Sequence, residues 1–132
     1  QTLAGGRAID QPLYSFVTHT RTGETRRIRP GRFVLFEGLF ALYDERVRAL
    51  CGTKVFVEVA DGLCLARRLE RDVRERGRTP ASVIAQYHQT VRPMYERYVL
   101  PTRAFADLVL RGDAPIEDLV AAVIGCLGPE PR

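Results

Sequence analysis

Residues 54–59 read Lys54-Val55-Phe56-Val57-Glu58-Val59, and a helix-forming stretch follows directly from about Asp61. The short run of β-branched and aromatic residues predicts a strand that is covered on both faces. In the helix that follows, Leu65, Leu69 and Val73 are spaced four apart and form one apolar stripe. A buried strand that leads at once into an amphipathic helix is typical of a parallel α/β sheet.

The second half of this helix is its most charged part and reads Arg67-Arg68-Leu69-Glu70-Arg71-Asp72-Val73-Arg74-Glu75-Arg76-Gly77-Arg78, with six arginines and three acids. Glu70–Arg74 and Glu75–Arg71 have the spacing of ion pairs on a helix surface. Gly77 favours a left-handed C-cap at the helix end. Guanidinium groups bind phosphate oxygens in bidentate fashion. Composition alone leaves two interpretations open, a solvated ion-paired face or an anion-binding segment.

The composition bounds the class of protein. With 132 residues, 45% apolar and 27% charged, the chain has the size and balance of one soluble globular domain. No apolar run is long enough to cross a bilayer, so we expect no membrane partner. Three scattered cysteines predict a reducing, cytoplasmic setting. The net charge of +4, carried almost entirely by arginine, favours an anionic partner.

The remaining pattern predicts a hairpin followed by strands that alternate with helices, all in one domain over residues 1–132. We expect the turn of the hairpin near Thr22-Gly23, and we expect Pro93 to kink or end the helix that contains it. The other predicted elements are the hairpin itself (13–30), a buried strand (33–36), a short helix capped by Asp44 and ending at Leu50, the arginine helix (about 61–78), a helix opened by Thr79-Pro80, a third strand (106–110) and a final helix (115–127).

Several residues have positions that point to ligand binding. Glu37 follows the predicted strand 33–36, and ligands of open α/β sheets gather at the carboxyl ends of strands. A carboxylate at this place either holds magnesium or caps a neighbouring group, and position alone does not choose. Tyr14 and His19 lie in the hairpin and Gln86 in the helix after Pro80, where each also has an ordinary structural interpretation.

Taken in order, six stretches resemble the uridine kinase (uridine–cytidine kinase) family of P-loop nucleoside kinases. The resemblance covers about residues 3–127. It implies part of a P-loop NTPase-type parallel sheet flanked by helices, with a β-hairpin insertion and an arginine-rich lid helix. The stretches are Pro12-Leu13-Tyr14-Ser15-Phe16-Val17-Thr18-His19-Thr20-Arg21, Val34-Leu35-Phe36-Glu37-Gly38-Leu39, the arginine run 67–78, Val83-Ile84-Ala85-Gln86-Tyr87, Val91-Arg92-Pro93-Met94 and Pro101-Thr102-Arg103-Ala104-Phe105-Ala106-Asp107.

The resemblance also implies roles for residues at the matching positions. The implied activity is ATP-dependent phosphorylation of uridine and cytidine to UMP and CMP, with Mg²⁺ as a cofactor and no nucleic-acid partner, in a complete enzyme that we expect to be a homo-oligomer. The implied site residues are Glu37 as a magnesium-associated acid, Tyr14 and His19 in the pyrimidine pocket, Arg68 and Gln86 at the nucleoside, and Arg71, Arg76 and Arg78 in the lid that closes over the phosphates.

The sequence departs from the family pattern at one decisive place. It contains no Gly-x-x-x-x-Gly-Lys-Ser/Thr run, so the phosphate loop of the family is absent, as is the family's catalytic aspartate. We therefore expect the chain to be the C-terminal portion of such a kinase and to be inactive alone. Three alternatives remain: a phosphoribulokinase-like or other small-molecule kinase, a non-catalytic nucleoside-binding relative, and a basic nucleic-acid-binding domain, the last disfavoured because acids interleave with the arginines.

Overall fold

The computed structural model describes residues 2–15, 18 and 20–127. The chain divides into two compact units, residues 1–38 and 39–132. Each is described by itself.

The first unit is built around an antiparallel hairpin. Strand β1 spans Ile9–Ser15 and strand β2 spans Thr20–Ile28, with Ile9 opposite Ile28 and Ser15 opposite Thr20. The predicted hairpin is therefore confirmed, but the predicted turn at Thr22-Gly23 is wrong because both residues lie inside β2.

Gly23 lies at an irregularity in the pairing of the two strands and not in the turn of the hairpin. Between the pairs Pro12–Thr25 and Tyr14–Arg21 the register shifts, so that Leu13 alone faces residues 22–24. Proline has no amide hydrogen to donate and glycine tolerates the extra bend, which are the usual conditions for a β-bulge.

The predicted strand at 33–36 is the second correction in this unit. These residues form no strand, and Phe33, Val34, Leu35 and Phe36 are all exposed, Leu35 at 93%. An apolar run becomes a strand only where neighbouring strands accept its backbone hydrogen bonds, and in the described part of the chain none pairs with this run.

The second unit contains a parallel pair of strands with helices around it. Strand β3 (Val55–Glu58) pairs in parallel with β4 (Leu108–Arg111), so that Val55 faces Leu108 and Glu58 faces Arg111. Only one face of β3 is covered, since Phe56 is buried and Val57 is 56% exposed. The fold class is thus α/β with a parallel sheet, as the sequence predicted.

The helices of this unit follow the predicted order. They are α1 (Glu45–Arg48), α2 (Asp61–Arg76), α3 (Pro80–Gln86), α4 (Arg92–Met94) and α5 (Ile116–Cys126). The side chain of Asp44 caps α1 and that of Thr79 caps α3, both as predicted.

The helical path continues through Pro93, but its hydrogen-bonding pattern changes there. The chain widens into π-helical turns at Tyr87–Val91 and Tyr95–Val99 on either side of α4, and then tightens into a 3₁₀ turn at Leu100–Phe105. Such wide turns allow the helix to continue although proline has no amide hydrogen to donate. The core of the unit lies between these turns and the sheet, where Leu42, Phe56 and Val99 pack together.

Candidate active site: arginines around a buried carboxylate

The last turns of α2 bring several predicted site residues together. The helix ends at Gly77, whose φ of 61° is the left-handed conformation that glycine adopts at no steric cost. The amide hydrogens of Gly77 and Arg78 both point back to the carbonyl oxygen of Asp72. This reversal turns Arg78 towards the side of α2 that carries Arg68 and Asp72.

Asp72 is the centre of the cluster. Its side chain is fully buried, and Arg71 donates to its Oδ1 from Nε at 2.9 Å and from Nη2 at 2.8 Å. Arg76 Nη1 lies 3.5 Å from Oδ1, while Arg68 Nε and Arg78 Nη1 each lie 3.6 Å from Oδ2. Four guanidinium groups thus share one carboxylate, which leaves the cluster with a net charge of +3.

The arginines themselves are only partly covered. The side chains of Arg71 and Arg76 are 44% and 49% exposed, and those of Arg68 and Arg78 are 24% and 29% exposed. Each is anchored near the buried carboxylate and still has donors available to a ligand. An arrangement of this kind binds anions, because partly covered guanidinium groups are weakly hydrated and already oriented.

The ionisation of Asp72 follows from its partners. Burial by itself raises the pKa of the carboxyl group, but the hydrogen bonds and charge of Arg71, together with the charges of Arg68 and Arg76, more than offset that effect. The net result is a pKa below the ordinary value of 3.8. Asp72 is therefore a carboxylate throughout the neutral range.

Gln86 joins the cluster from α3. Its Oε1 accepts a hydrogen bond from Arg68 Nη2 at 3.1 Å and another from Arg78 Nη1. A second donor of Arg78, Nη2, is 3.1 Å from the carbonyl oxygen of Ser82. Two helices therefore fix the directions of Arg68 and Arg78, and the side-chain amide nitrogen of Gln86 remains available for a ligand.

Three further contacts hold α2 in place. At its start, the hydroxyl of Tyr87 donates to Asp61 Oδ1 and Arg92 forms an ion pair with the same carboxylate. Along its length, Arg67 donates to the carbonyl oxygen of Gly112 at 3.2 Å. The arginine cluster is thus fixed relative to the sheet.

The predictions for individual residues divide as follows. Arg68, Arg71, Arg76, Arg78 and Gln86 come together in one cluster of the second unit. Tyr14 is half-exposed in β1 of the first unit, and His19 lies outside the described residues. The contacts do not assign ligand roles, so the roles of all these residues remain predictions.

Two details of the helix face differ from the sequence analysis. Glu70 pairs with Arg74 at 3.0 Å as predicted, but Glu75 pairs with Arg74 rather than Arg71, which bonds to Asp72. Val73, placed on the apolar stripe, is 39% exposed, and its neighbour Asp72 is buried instead. The overlooked signal was spacing: Asp72 lies four residues after Arg68 and four before Arg76, which puts all three on one face.

A cavity of about 310 Å³ lies at the carboxyl ends of the two parallel strands and shares no residue with the arginine cluster. It is lined by Glu58, Val59, Ala60, Tyr95, Arg111 and Asp113. Its charged groups are already paired, Glu58 with Arg103 at 2.9 Å and Arg111 with Asp113 at 3.0 Å. Geometry favours the arginine cluster over this cavity as the anion-binding site.

Glu37, the residue predicted to hold magnesium, belongs to no cluster of metal-binding side chains in the described residues. Glu37 is exposed, and the described residues contain no group of three or more His, Cys, Asp or Glu side chains that could hold a metal ion. Mg²⁺ in phosphoryl-transfer sites is usually held by one or two carboxylates together with waters and substrate phosphates. The magnesium role of Glu37 therefore stays a prediction, and no step is assigned to the metal.

Comparison with known proteins identifies the family. A sequence model described as the phosphoribulokinase/uridine kinase family matches residues 1–115. The chain belongs to this family. Among curated members, a uridine kinase of Haemophilus influenzae (strain PittEE) is 48% identical over 110 residues, which cover 83% of this chain and 52% of that protein.

Other uridine kinases of the phosphoribulokinase/uridine kinase family match to a similar extent. Those of Erwinia tasmaniensis and Histophilus somni (strain 2336) are 44% and 45% identical over 110 and 108 residues, covering 83% and 82% of this chain and 52% and 51% of theirs. The chain therefore spans about half the length of the curated relatives that it matches. None of the helices in the described ranges is long and apolar enough to span a bilayer.

Proposed function

We propose that this chain provides the nucleoside-binding and lid portion of a kinase that transfers the γ-phosphoryl group of ATP to uridine or cytidine. The observation that carries the proposal is the cluster of Arg68, Arg71, Arg76 and Arg78 around Asp72, with Gln86 beside it. Phosphoryl transfer depends on positioning and on stabilising charge that spreads over the phosphate oxygens. Partly exposed guanidinium groups held at a buried anchor suit both tasks.

The proposal divides the cluster by exposure. Arg71 and Arg76 are about half exposed, so we assign them to the phosphate oxygens during transfer. Arg68, Arg78 and Gln86 are linked by hydrogen bonds, and we assign them to the nucleoside and the phosphate next to it. Tyr14 and His19 would contact the pyrimidine base. ATP and Mg²⁺ are the expected phosphoryl donor and cofactor, with Glu37 as a magnesium-associated acid.

We rank uridine first among the candidate substrates because the curated relatives above are named uridine kinases. The family description also covers phosphoribulokinases, so a sugar phosphate is the second candidate. Both candidates present hydroxyl groups to the arginines, but uridine carries a base and no phosphate, whereas a sugar phosphate carries a phosphate and no base. A cytoplasmic location and an oligomeric complete enzyme remain predictions.

Binding of the product tests the proposal without requiring catalysis. UMP, CMP, AMP and ribulose 5-phosphate would be titrated into the 132-residue chain by calorimetry. We expect UMP and CMP to bind more tightly than AMP, and Arg68→Ala to weaken UMP by about tenfold, the equivalent of one charge-assisted hydrogen bond.

Arg46→Ala provides the matched control, since it removes the same charge from α1, where Arg46 pairs with Asp44. It should leave the affinity for UMP unchanged. Tighter binding of ribulose 5-phosphate than of UMP would replace the nucleoside with a sugar phosphate as the substrate. Equal losses in the two variants would mean that net charge alone holds the anion.

A further inference from the structure

The two oxygens of the buried Asp72 carboxylate differ in their hydrogen bonding. Arg71 donates twice to Oδ1, but neither Oδ2 of Asp72 nor Nε of Arg68 has a hydrogen-bond partner among the described residues, although both atoms are buried. These two atoms are 3.6 Å apart, which is too long for a hydrogen bond. Arg78 Nη1 lies at the same distance from Oδ2.

Gln86 binds the same two arginines. Its Oε1 accepts from Nη2 of Arg68 and from Nη1 of Arg78, so the two guanidinium groups that lie near Oδ2 are already hydrogen-bonded to Gln86. A shift of well under 1 Å would bring either arginine within hydrogen-bond distance of the carboxylate. Gln86 and Asp72 are therefore neighbouring acceptors for the same two side chains.

The position of Asp72 is set independently of its carboxylate. Its carbonyl oxygen accepts the amide hydrogens of Gly77 and Arg78, which fixes the residue at the reversal of the chain after α2. Replacing the carboxylate by an amide leaves these backbone bonds in place. The side chain can therefore be tested separately from the helix end.

We propose that Asp72 is the positioning residue of the cluster, and that its Oδ2 takes over Arg68 and Arg78 when Gln86 turns to a ligand. The carboxylate keeps both guanidinium groups directed at the substrate while touching no substrate itself. This inference rests on the proposed function for the identity of the ligand. The exchange of acceptors within the cluster does not depend on it.

The proposal and simple electrostatics make opposite predictions for one variant. Asp72→Asn removes a negative charge from a cluster that binds anions, so charge alone would tighten the binding of UMP. If Asp72 positions the arginines, the same change weakens UMP, because an amide nitrogen then faces guanidinium donors and the orientation is lost. We expect a loss of about tenfold, as for one charge-assisted hydrogen bond.

Two further variants frame this measurement. Glu70→Gln removes an equal charge from the exposed side of α2, where Glu70 pairs only with Arg74 among the described residues, and should not weaken the binding of UMP. Asp72→Glu retains the charge and should recover part of the affinity. Unchanged or tighter binding in Asp72→Asn, or an equal loss in Glu70→Gln, would overturn the positioning role.

Nuclear magnetic resonance of the arginine Nε–H groups provides a readout that needs no ligand. Gln86→Ala alters an exposed residue of α3. In this variant the Nε–H of Arg68 should form a hydrogen bond to Asp72 Oδ2, and should therefore exchange with water more slowly than in the parent chain. Exchange that becomes as fast as that of the exposed Arg74 would overturn the exchange of acceptors.

The two readouts separate the two hypotheses. If UMP does not bind the parent chain but Arg68 Nε–H is protected as described, the proposed substrate fails and the positioning role stands. If UMP binds and the protection is absent in both the parent chain and Gln86→Ala, the positioning role fails and the proposed function stands. If Asp72→Asn does not fold, the exchange measurement on Gln86→Ala decides alone.

Discussion

Among the glycines of the described residues, Gly112 has the least room for a side chain. It follows β4, its amide hydrogen bonds to the carbonyl oxygen of Glu58 at 2.8 Å, and its own carbonyl accepts from Arg67. A methyl group here would lie 2.7 Å from Val59 Cγ2 and 2.8 Å from Val57 Cγ1. Both neighbours are β-branched and stiff, so they cannot swing away without moving the strand.

We therefore expect Gly112→Ala to destabilise the chain by about 1–3 kcal/mol, the usual cost of overpacking. For a protein of this size the loss lowers the midpoint of thermal unfolding by roughly 4–12 °C. Urea unfolding followed by circular dichroism at equal protein concentration would measure the free energy directly.

Gly62→Ala is the matched control, since a methyl group at Gly62 on α2 meets nothing within 4 Å. It should be neutral or stabilising, by up to about 1 kcal/mol, because alanine favours a helix over glycine. If Gly112→Ala is as stable as the parent chain, the close approach of the β4 end to β3 is wrong.

Three other predictions follow from the contacts of the second unit and from the sequence. Tyr87→Phe should destabilise the chain by about 1–2 kcal/mol in urea unfolding, because it removes the hydrogen bond that the buried Tyr87 donates to the Asp61 carboxylate; an unchanged stability would remove Tyr87 from the support of α2. The difference in unfolding free energy between the parent chain and Asp72→Asn should be full above the ordinary pKa of 3.8 and shrink as the pH falls below it, since the folded pKa is the lower one; a difference that grows on acidification would reverse the sign of the coupling. The purified chain should form no ADP from ATP in the presence of uridine, because its sequence contains no phosphate loop; uridine-dependent ADP above a buffer blank would contradict this.

Local sequence signals predicted the elements that depend on local physics. Thr79 caps α3, Gly77 ends α2 in the left-handed conformation, and β3 leads directly into α2. These features depend on hydrogen bonds and backbone preferences within a few residues of each other. The sequence was sufficient for them.

Features that depend on distant partners were missed. The run 33–36 has the composition of a buried strand but lacks paired neighbours in the described ranges, and Gly23 marks a bulge that only the register of the opposite strand reveals. The charge pattern alone does not single out Asp72, because an acid among six arginines resembles a surface ion pair. Asp72 is buried in a region where α3 packs against α2 and Arg78 returns towards the helix, and neither contact is visible in the local pattern.

The central claim is that the arginine cluster serves phosphoryl transfer to a pyrimidine nucleoside. The most direct test joins this chain to the part of the Haemophilus influenzae uridine kinase outside the matched 110 residues, and measures kcat and KM for uridine with and without Arg76→Ala. We predict that the parent chimera forms UMP, and that Arg76→Ala lowers kcat by up to ~10³-fold with little change in KM, as for an arginine that acts mainly in the transition state. Arg46→Ala should match the parent. An active chimera in which Arg76→Ala leaves kcat unchanged would contradict the claim and return Arg76 to an ordinary solvated helix face.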